Sequence, residues 1–142
     1  YIAQNAVILL ARVGHVREKT GVERWVHVDA DTNLAPPQYH KLRNIVVANK
    51  IRFEKEEIVN IVGSLCSASD ILGKDRRLPK LERGDLIAIL DIGAYAESSF
   101  GEHNAFPKPA TILVNKRNVD LARERETIQD VIARDRIPHW LF

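Results

Sequence analysis

The opening thirty residues constrain the fold most. The run Val7-Ile8-Leu9-Leu10-Ala11 passes into the alternation Val13, His15, Arg17. After the turn-forming pair Thr20-Gly21, the segment Arg24-Trp25-Val26-His27-Val28-Asp29 repeats the pattern in return. A period of two places successive side chains on opposite faces of an extended strand. Two such runs joined by a glycine-containing turn predict a β-hairpin, the first run leaving the core as a long strand.

The rest of the chain is mostly further strands and loops. Asp31 to Tyr39 contains Asn33, Pro36 and Pro37 and reads as a loop. Asn44 to Ala48 and Glu57 to Val62 are β-rich runs that could pair with each other. The small and polar stretch Gly63-Ser64-Leu65-Cys66-Ser67-Ala68-Ser69-Asp70 reads as a loop, and Arg76 to Gly84 as a charged connection before a clear strand, Asp85 to Leu90. Gly93-Ala94-Tyr95 leads into a polar loop bounded by Pro107 and Pro109, then a short strand, Thr111 to Val114. Near the end, Thr127 with Asp130 three residues on resembles a helix cap, and Ile128, Val131 and Ile132 form a one-sided apolar stripe. Short strands with one late helix predict a mainly β fold, a barrel or sandwich with a short C-terminal helix, in one domain over residues 1–142.

Charge excludes some partners. Twenty-one basic and nineteen acidic residues leave a net charge of +2, with no dense basic cluster, so no nucleic acid is expected. The longest uncharged apolar stretch, Ala6 to Ala11, is far short of a membrane span. No charged leader opens the sequence, and the lone Cys66 cannot form an internal disulfide; both favour a cytoplasmic location. The chain starts at Tyr1 on the approach to a strand, which suggests part of a longer polypeptide. Five scattered histidines with no paired-ligand spacing give no reason to expect a metal, and no glycine-rich phosphate loop is present.

Three stretches together resemble the fold-type III pyridoxal-phosphate-dependent decarboxylases, the group of diaminopimelate, ornithine and arginine decarboxylases related to alanine racemase. Val62 to Asp70 is similar to that family's Gly-Pro-x-Cys-acid-x-x-Asp loop, with Ser64 in place of the proline. Leu81-Glu82-Arg83-Gly84-Asp85-Leu86-Ile87-Ala88, running on to Gly93-Ala94-Tyr95, looks like its Gly-Asp-strand-Gly-Ala-Tyr segment. Tyr1 through Val13 and on to Val28-Asp29-Ala30 is similar to the point where the family chain leaves its cofactor barrel for the carboxy-terminal β-domain. Order and spacing agree for all three.

The resemblance implies a carboxy-lyase. Pyridoxal 5'-phosphate, held by a lysine upstream of this chain, would accept the electrons left by departing carbon dioxide. The reacting carbon must then be protonated, and the family supplies that proton across a homodimer interface from the loop cysteine, here Cys66. A thiol keeps its proton at neutral pH yet gives it up readily, which suits a general acid. Tyr95 matches the tyrosine that hydrogen-bonds the cofactor phosphate. Ser67 and Asp70 fall at the substrate-facing positions of the loop. By itself the chain, lacking the cofactor lysine, is expected to be inactive.

Two departures concern the substrate. The family's acid after the cysteine is here Ser67, which cannot pair with a distal ammonium; such a charged hydrogen bond is worth about 1.5–3 kcal/mol. Where diaminopimelate decarboxylases have an Arg-Pro-x-x-Tyr run, this sequence has Asn33-Leu34-Ala35-Pro36-Pro37-Gln38-Tyr39, a residue shorter and with Pro36 where the arginine would fall, so the arginine fork is missing. The expectation from these changes is a biosynthetic relative acting on a conjugated amino acid, carrier-protein-bound or citryl-linked. A racemase and a non-catalytic, partner-binding relative are the competing readings, and Cys66 weighs against both. Taken without their motifs, Cys66 would be a buried structural thiol, Asp70 a turn residue or cap, and Tyr95 a half-buried core aromatic. His103 and Asn104 read as surface loop residues, and Arg123, Arg125, Arg134 and Arg136 as a solvated helix face.

Overall fold

The structure, a computed structural model, describes residues 2–19, 23–37, 42–50 and 55–141. The expected turn at Thr20-Gly21 and the Gln38-Tyr39 end of the proline loop lie outside the described residues. The chain divides into two compact units, Tyr1–Phe100 and Gly101–Phe142.

The first unit is a six-stranded sheet of β1 (Leu9–Lys19), β2 (Glu23–Val28), β3 (Ile45–Val47), β4 (Glu56–Val62), β5 (Ile71–Pro79) and β6 (Leu86–Ile89). Its spatial order is β3-β6-β1-β2-β4-β5. All pairs are antiparallel except β2 with β4. The expected hairpin of β1 and β2 is present, with Val16 opposite Val26 and Arg17 opposite Trp25.

β1 does two jobs. Leu9 to Arg12 pair with β6, and Val13 to Lys19 pair with β2. The register shifts at Gly14, between Val13 and His15, and such a bulge bends a strand and increases its twist. The bend lets one strand serve two sheet halves. The free edges, β3 and β5, then approach each other: Arg76 Nη2 donates to the Arg43 carbonyl at 2.8 Å, and a Cβ on Gly73 would lie 2.9 Å from Ile45 Cδ1. The result is a nearly closed barrel.

The interior is aliphatic. Val13, Val26, Val59, Ile61, Ile87 and Ile89 are buried, each worth about 1.5–3 kcal/mol relative to exposure. On β2, Val26 and Val28 point inward while His27 is exposed, as alternation requires. β6 breaks the alternation: Ile87, Ala88 and Ile89 are all buried.

Two sequence expectations need correction here. The β-rich runs of β3 and β4 do not pair with each other; β3 pairs with β6, and β4 with β2 and β5. Apolar runs carry no label for their partner. The supposed charged connection from Arg76 is the second half of β5, which keeps Leu72, Leu78 and Pro79 inside while Lys74, Asp75 and Arg77 face out.

The second unit carries a hairpin of β7 (Thr111–Asn115) and β8 (Asn118–Arg123), then α1 (Ile128–Val131). β8 was not expected, and it places Arg123 in a strand rather than on a helix face, its guanidinium donating to Thr111 Oγ1 at 2.9 Å. The expected cap is there: Thr127 and Asp130 form a reciprocal capping box, which holds the Asp130 carboxyl below its usual range through the Thr127 amide and hydroxyl. No helix among the described residues is long and apolar enough to cross a membrane.

Candidate functional site

The loop between β4 and β5 is short, and buried carboxylates fix its shape. Its neck closes where Gly63 N donates to the Asp70 carbonyl at 3.1 Å. The Asp70 side chain, only 2% exposed, turns back into the loop and beyond it. One oxygen accepts from Leu65 N at 2.8 Å, and the other from Thr32 N, also at 2.8 Å. A single carboxylate therefore ties the loop to itself and to the turn after β2. Asp31 adds a second tie, accepting from Asn33 N at 2.9 Å and from Ser64 Oγ at 3.4 Å.

The space between these groups is full. A Cβ on Gly63 would sit 2.3 Å from Asp70 Oδ2 and 2.7 Å from the Ala30 carbonyl, distances that no real side chain tolerates. Glycine is required there by close approach. Burial pushes the Asp31 carboxyl up, and the neighbouring Asp70 charge adds to it against the opposing Asn33, Ser64 and Leu34 hydrogen bonds.

Cys66 stands exposed on this braced loop, flanked by the anchored Leu65 and by Ser67. Ser67 Oγ lies 2.8 Å from Ser69 Oγ and accepts from Ser69 N at 3.3 Å, which curls the far side of the loop. The exposure of Cys66 sets aside the reading of it as a buried structural thiol. Asp70, by contrast, is committed to the backbone, so what it does in this chain is hold the loop that carries Cys66 and Ser67.

Tyr95 lies elsewhere. Gly93 N donates to the Gln4 carbonyl and Ile92 N to Val7, so the turn after β6 packs beside the start of β1, whereas Gly63 borders the Gly14 bulge. The stretch of chain between those two stations, from Val7 to Gly14, spans roughly 20 Å when extended. Tyr95 adopts a left-handed backbone, φ 67°, steadied by three donors on its carbonyl: Ser98 Oγ at 2.9 Å, Ser99 Oγ at 2.7 Å and Ser99 N at 3.0 Å. Its ring is 73% exposed, not a half-buried core aromatic. Cys66, Ser67 and Asp70 thus form one group, and Tyr95 a separate one.

A groove of about 460 Å³ runs along the outer face of the sheet under the loop. Arg17 and Trp25, cross-strand partners, form one side with His27; Val62, Leu65 and Ile71 supply the apolar part. Ser67, Ala68 and Asp70 border it from the loop. Sequence reading missed this groove, along with Asp31 and Thr32. The pairing register sets Arg17 opposite Trp25 and His15 opposite His27, which no single segment of the sequence shows.

The barrel thus presents one exposed thiol on a braced loop and one exposed phenol on a left-handed turn. Residues 1–93 match the family described as "Pyridoxal-dependent decarboxylase, C-terminal sheet domain", and the chain belongs to that family. It is 42% identical to the diaminopimelate decarboxylase of Methanocaldococcus jannaschii and 40% identical to that of Archaeoglobus fulgidus, over 99% of this chain in both cases. It covers 32% and 34% of those proteins, about a third of their length. The crystal structure of the M. jannaschii enzyme superposes with a TM-score of 0.90 at 40% identity, covering 98% of this chain and 32% of that one; the same enzyme has been solved in co-complex with L-lysine. None of these relatives supports the expectation of a conjugated substrate.

The family is pyridoxal-dependent, and the fit of this chain to that cofactor is partial. The exposed Tyr95 hydroxyl has no partner among the described residues and is free to donate to a phosphate oxygen. It is one donor and not a complete phosphate cradle.

Proposed function

We propose that this chain is the carboxy-terminal domain of a pyridoxal-phosphate-dependent decarboxylase acting on a diamino dicarboxylic acid of the diaminopimelate type. The observation that carries the reading is the exposed Cys66 on a loop braced by buried Asp70, within a family of decarboxylases. Pyridoxal phosphate, when bound, supplies the sink for the electron pair left as carbon dioxide departs. The thiol of Cys66 then gives its proton to the reacting carbon. Asp70 keeps the thiol in place, Ser67 lines the substrate side of the loop, and Tyr95 donates to the cofactor phosphate.

The separation of Cys66 from Tyr95 along β1 supports a homodimer with composite sites. A single small active site does not span both groups, so Cys66 of one copy serves one site and Tyr95 of the same copy the other. Such sharing makes association a condition of activity.

The test uses the full-length protein, wild type and Cys66→Ala, with free meso-diaminopimelate and carrier-bound or citryl-linked diamino acids side by side. Carbon dioxide and the amine product are followed by mass spectrometry, and the oligomeric state by sedimentation. The expected result is turnover of diaminopimelate by a wild-type dimer, with the variant slowed about 10²–10⁴-fold or diverted to aldehyde. Equal rates for the two proteins would remove Cys66 as the donor. Epimerisation without carbon dioxide release would make the protein a racemase, and preferred turnover of a conjugate would restore the carrier- or citryl-linked reading.

A further inference from the structure

We propose that His15 and His27 form a site for one late first-row divalent cation, of the Ni²⁺, Cu²⁺ or Zn²⁺ class, on the outer face of the β1–β2 hairpin. The inference does not depend on the decarboxylase reading, and it begins at the Gly14 bulge. Val13 and Val28 are cross-strand partners, and both are buried in the barrel. One step along β2 from Val28 brings the exposed His27 to the outer face. On β1 the bulge inserts Gly14, so that His15 stands opposite His27. In an unbulged strand His15 would share the inward face of Val13. The irregularity therefore turns two imidazoles onto one face as direct partners.

The geometry suits chelation. The two ring centroids are 6.1 Å apart, with the planes inclined at 47°. Metal–nitrogen bonds of about 2.0–2.1 Å put each imidazole centre roughly 3 Å from a shared ion, so centres about 5–6 Å apart span tetrahedral to square-planar angles. A small rotation of two exposed side chains covers the difference. Among the described residues neither imidazole has a hydrogen bond or an ion pair. The backbones beneath them are held by the ladder on both sides, Val13 with Val28 and Val16 with Val26, so binding has little left to order. Beside the rings lies a hollow of about 440 Å³, bordered by Gly14, Asp29, Gly63 and Ser64, with room for the ion's other ligands. No third His, Cys, Asp or Glu among the described residues completes a cluster, so water takes the remaining positions. A pair of imidazoles selects late first-row cations, in the order Ni²⁺ below Cu²⁺ above Zn²⁺, and gives Mg²⁺ and Ca²⁺ none of the oxygen ligands they need. An ion bound there staples β1 to β2 beside the bulge and stabilises the folded chain.

The experiment uses the full-length protein without a polyhistidine tag, in a Cys66→Ser background that removes the exposed thiol as a rival ligand. NiCl₂, CuCl₂, ZnCl₂ and MgCl₂ are titrated by calorimetry into this protein, into His15→Ala, His27→Ala and their double variant, and into His103→Ala as a control. The Cu²⁺ complexes are followed by electron paramagnetic resonance. The expected result is one equivalent of Ni²⁺, Cu²⁺ or Zn²⁺ per chain more than the double variant binds, and none of Mg²⁺. Cu²⁺ in that site shows hyperfine coupling to two nitrogens, and Ni²⁺ raises the Tm. Each single histidine variant weakens the binding at least about tenfold, the lower bound for residues that merely support a ligand, and loses the Tm shift. His103→Ala leaves both unchanged. No saturable difference from the double variant below about 1 mM cation would overturn the site. So would a loss at only one of the two histidines, or an equal loss in His103→Ala.

Discussion

The Cys66 loop and the Tyr95 turn present the same problem with two solutions. Each exposes one chemically useful side chain, and each begins at a glycine with no room for a Cβ, Gly63 in the loop and Gly93 in the turn. The loop is anchored by charge: two buried aspartates, side by side, accept from backbone amides on both sides of the gap. The turn is anchored by neutral groups, serine hydroxyls and main-chain amides on carbonyls. A charged anchor is stronger per hydrogen bond but carries a desolvation cost and depends on pH; a neutral anchor is weaker and indifferent to it. The residue expected to deliver a proton sits on the first kind, and the residue expected only to grip a phosphate sits on the second.

The comparison can be broken most directly at the two glycines. Gly63→Ala forces a methyl against a carboxylate, a carbonyl and a backbone carbon that are all buried, and about 3 kcal/mol of stability should be lost. Gly93→Ala forces a methyl against the backbone carbonyls of Ala3 and Gln4, and a comparable loss of about 3 kcal/mol is expected. Urea unfolding of the two variants tests this; a loss below about 1 kcal/mol at either glycine would show that its segment yields to the added methyl. Next in size, Asp70→Asn should lose about 2 kcal/mol, because its new amide donor would face a backbone N–H that already needs an acceptor. Rapid hydrogen exchange at Leu65 and Thr32 in that variant would sharpen the point, and full retention of their protection would refute the bracing role.

The smallest effect concerns pH. Burial and the Asp70 charge raise the Asp31 carboxyl, so the native state holds its proton more tightly than the unfolded chain does. Its contribution is complete below the unfolded value and is lost as pH rises through the folded one. Asp31→Asn keeps an acceptor for Asn33 N and removes the charge, and should therefore stabilise the chain at neutral pH, by less than either loss above. The gain should vanish in acid below the ordinary carboxylate range. Thermal unfolding from pH 3 to pH 7 tests this, and a variant less stable than wild type at pH 7 would show that the Asp31 charge is needed.

These contrasts also show what the sequence made legible. The β1–β2 hairpin is written in plain alternation, and the 63–70 loop in small polar residues, so both could be drawn before any coordinates. β5 was not, because the charged stretch from Arg76 shows no apolar alternation; Asp75 sits at φ 50° and its amide donates to Asn60 Oδ1 of β4. β8 was hidden in the same way, its Val119 and Leu121 interleaved with Asp120 and Arg123 and still exposed in the hairpin. Of the site, the identities of Cys66, Ser67, Asp70 and Tyr95 came from motif resemblance. That Asp70 is buried and doubly bonded could not be read, since an aspartate that braces a loop and one that faces a ligand are the same letter. The distance between Cys66 and Tyr95 likewise depends on where β6 docks on β1, which is a property of pairing and not of either segment.

The bent β1 has a consequence for how the molecule is made. Its first half, Leu9 to Arg12, finds its strand partner in β6, roughly eighty residues later in synthesis. At ribosomal speeds that leaves an unpaired strand edge, with Leu10 and Ala11 on it, open to the crowd for about 4–16 s. A nascent chain stalled in that interval would be ready to add its edge to a neighbour on the same message, and two partly made copies would cross-pair before either barrel had closed.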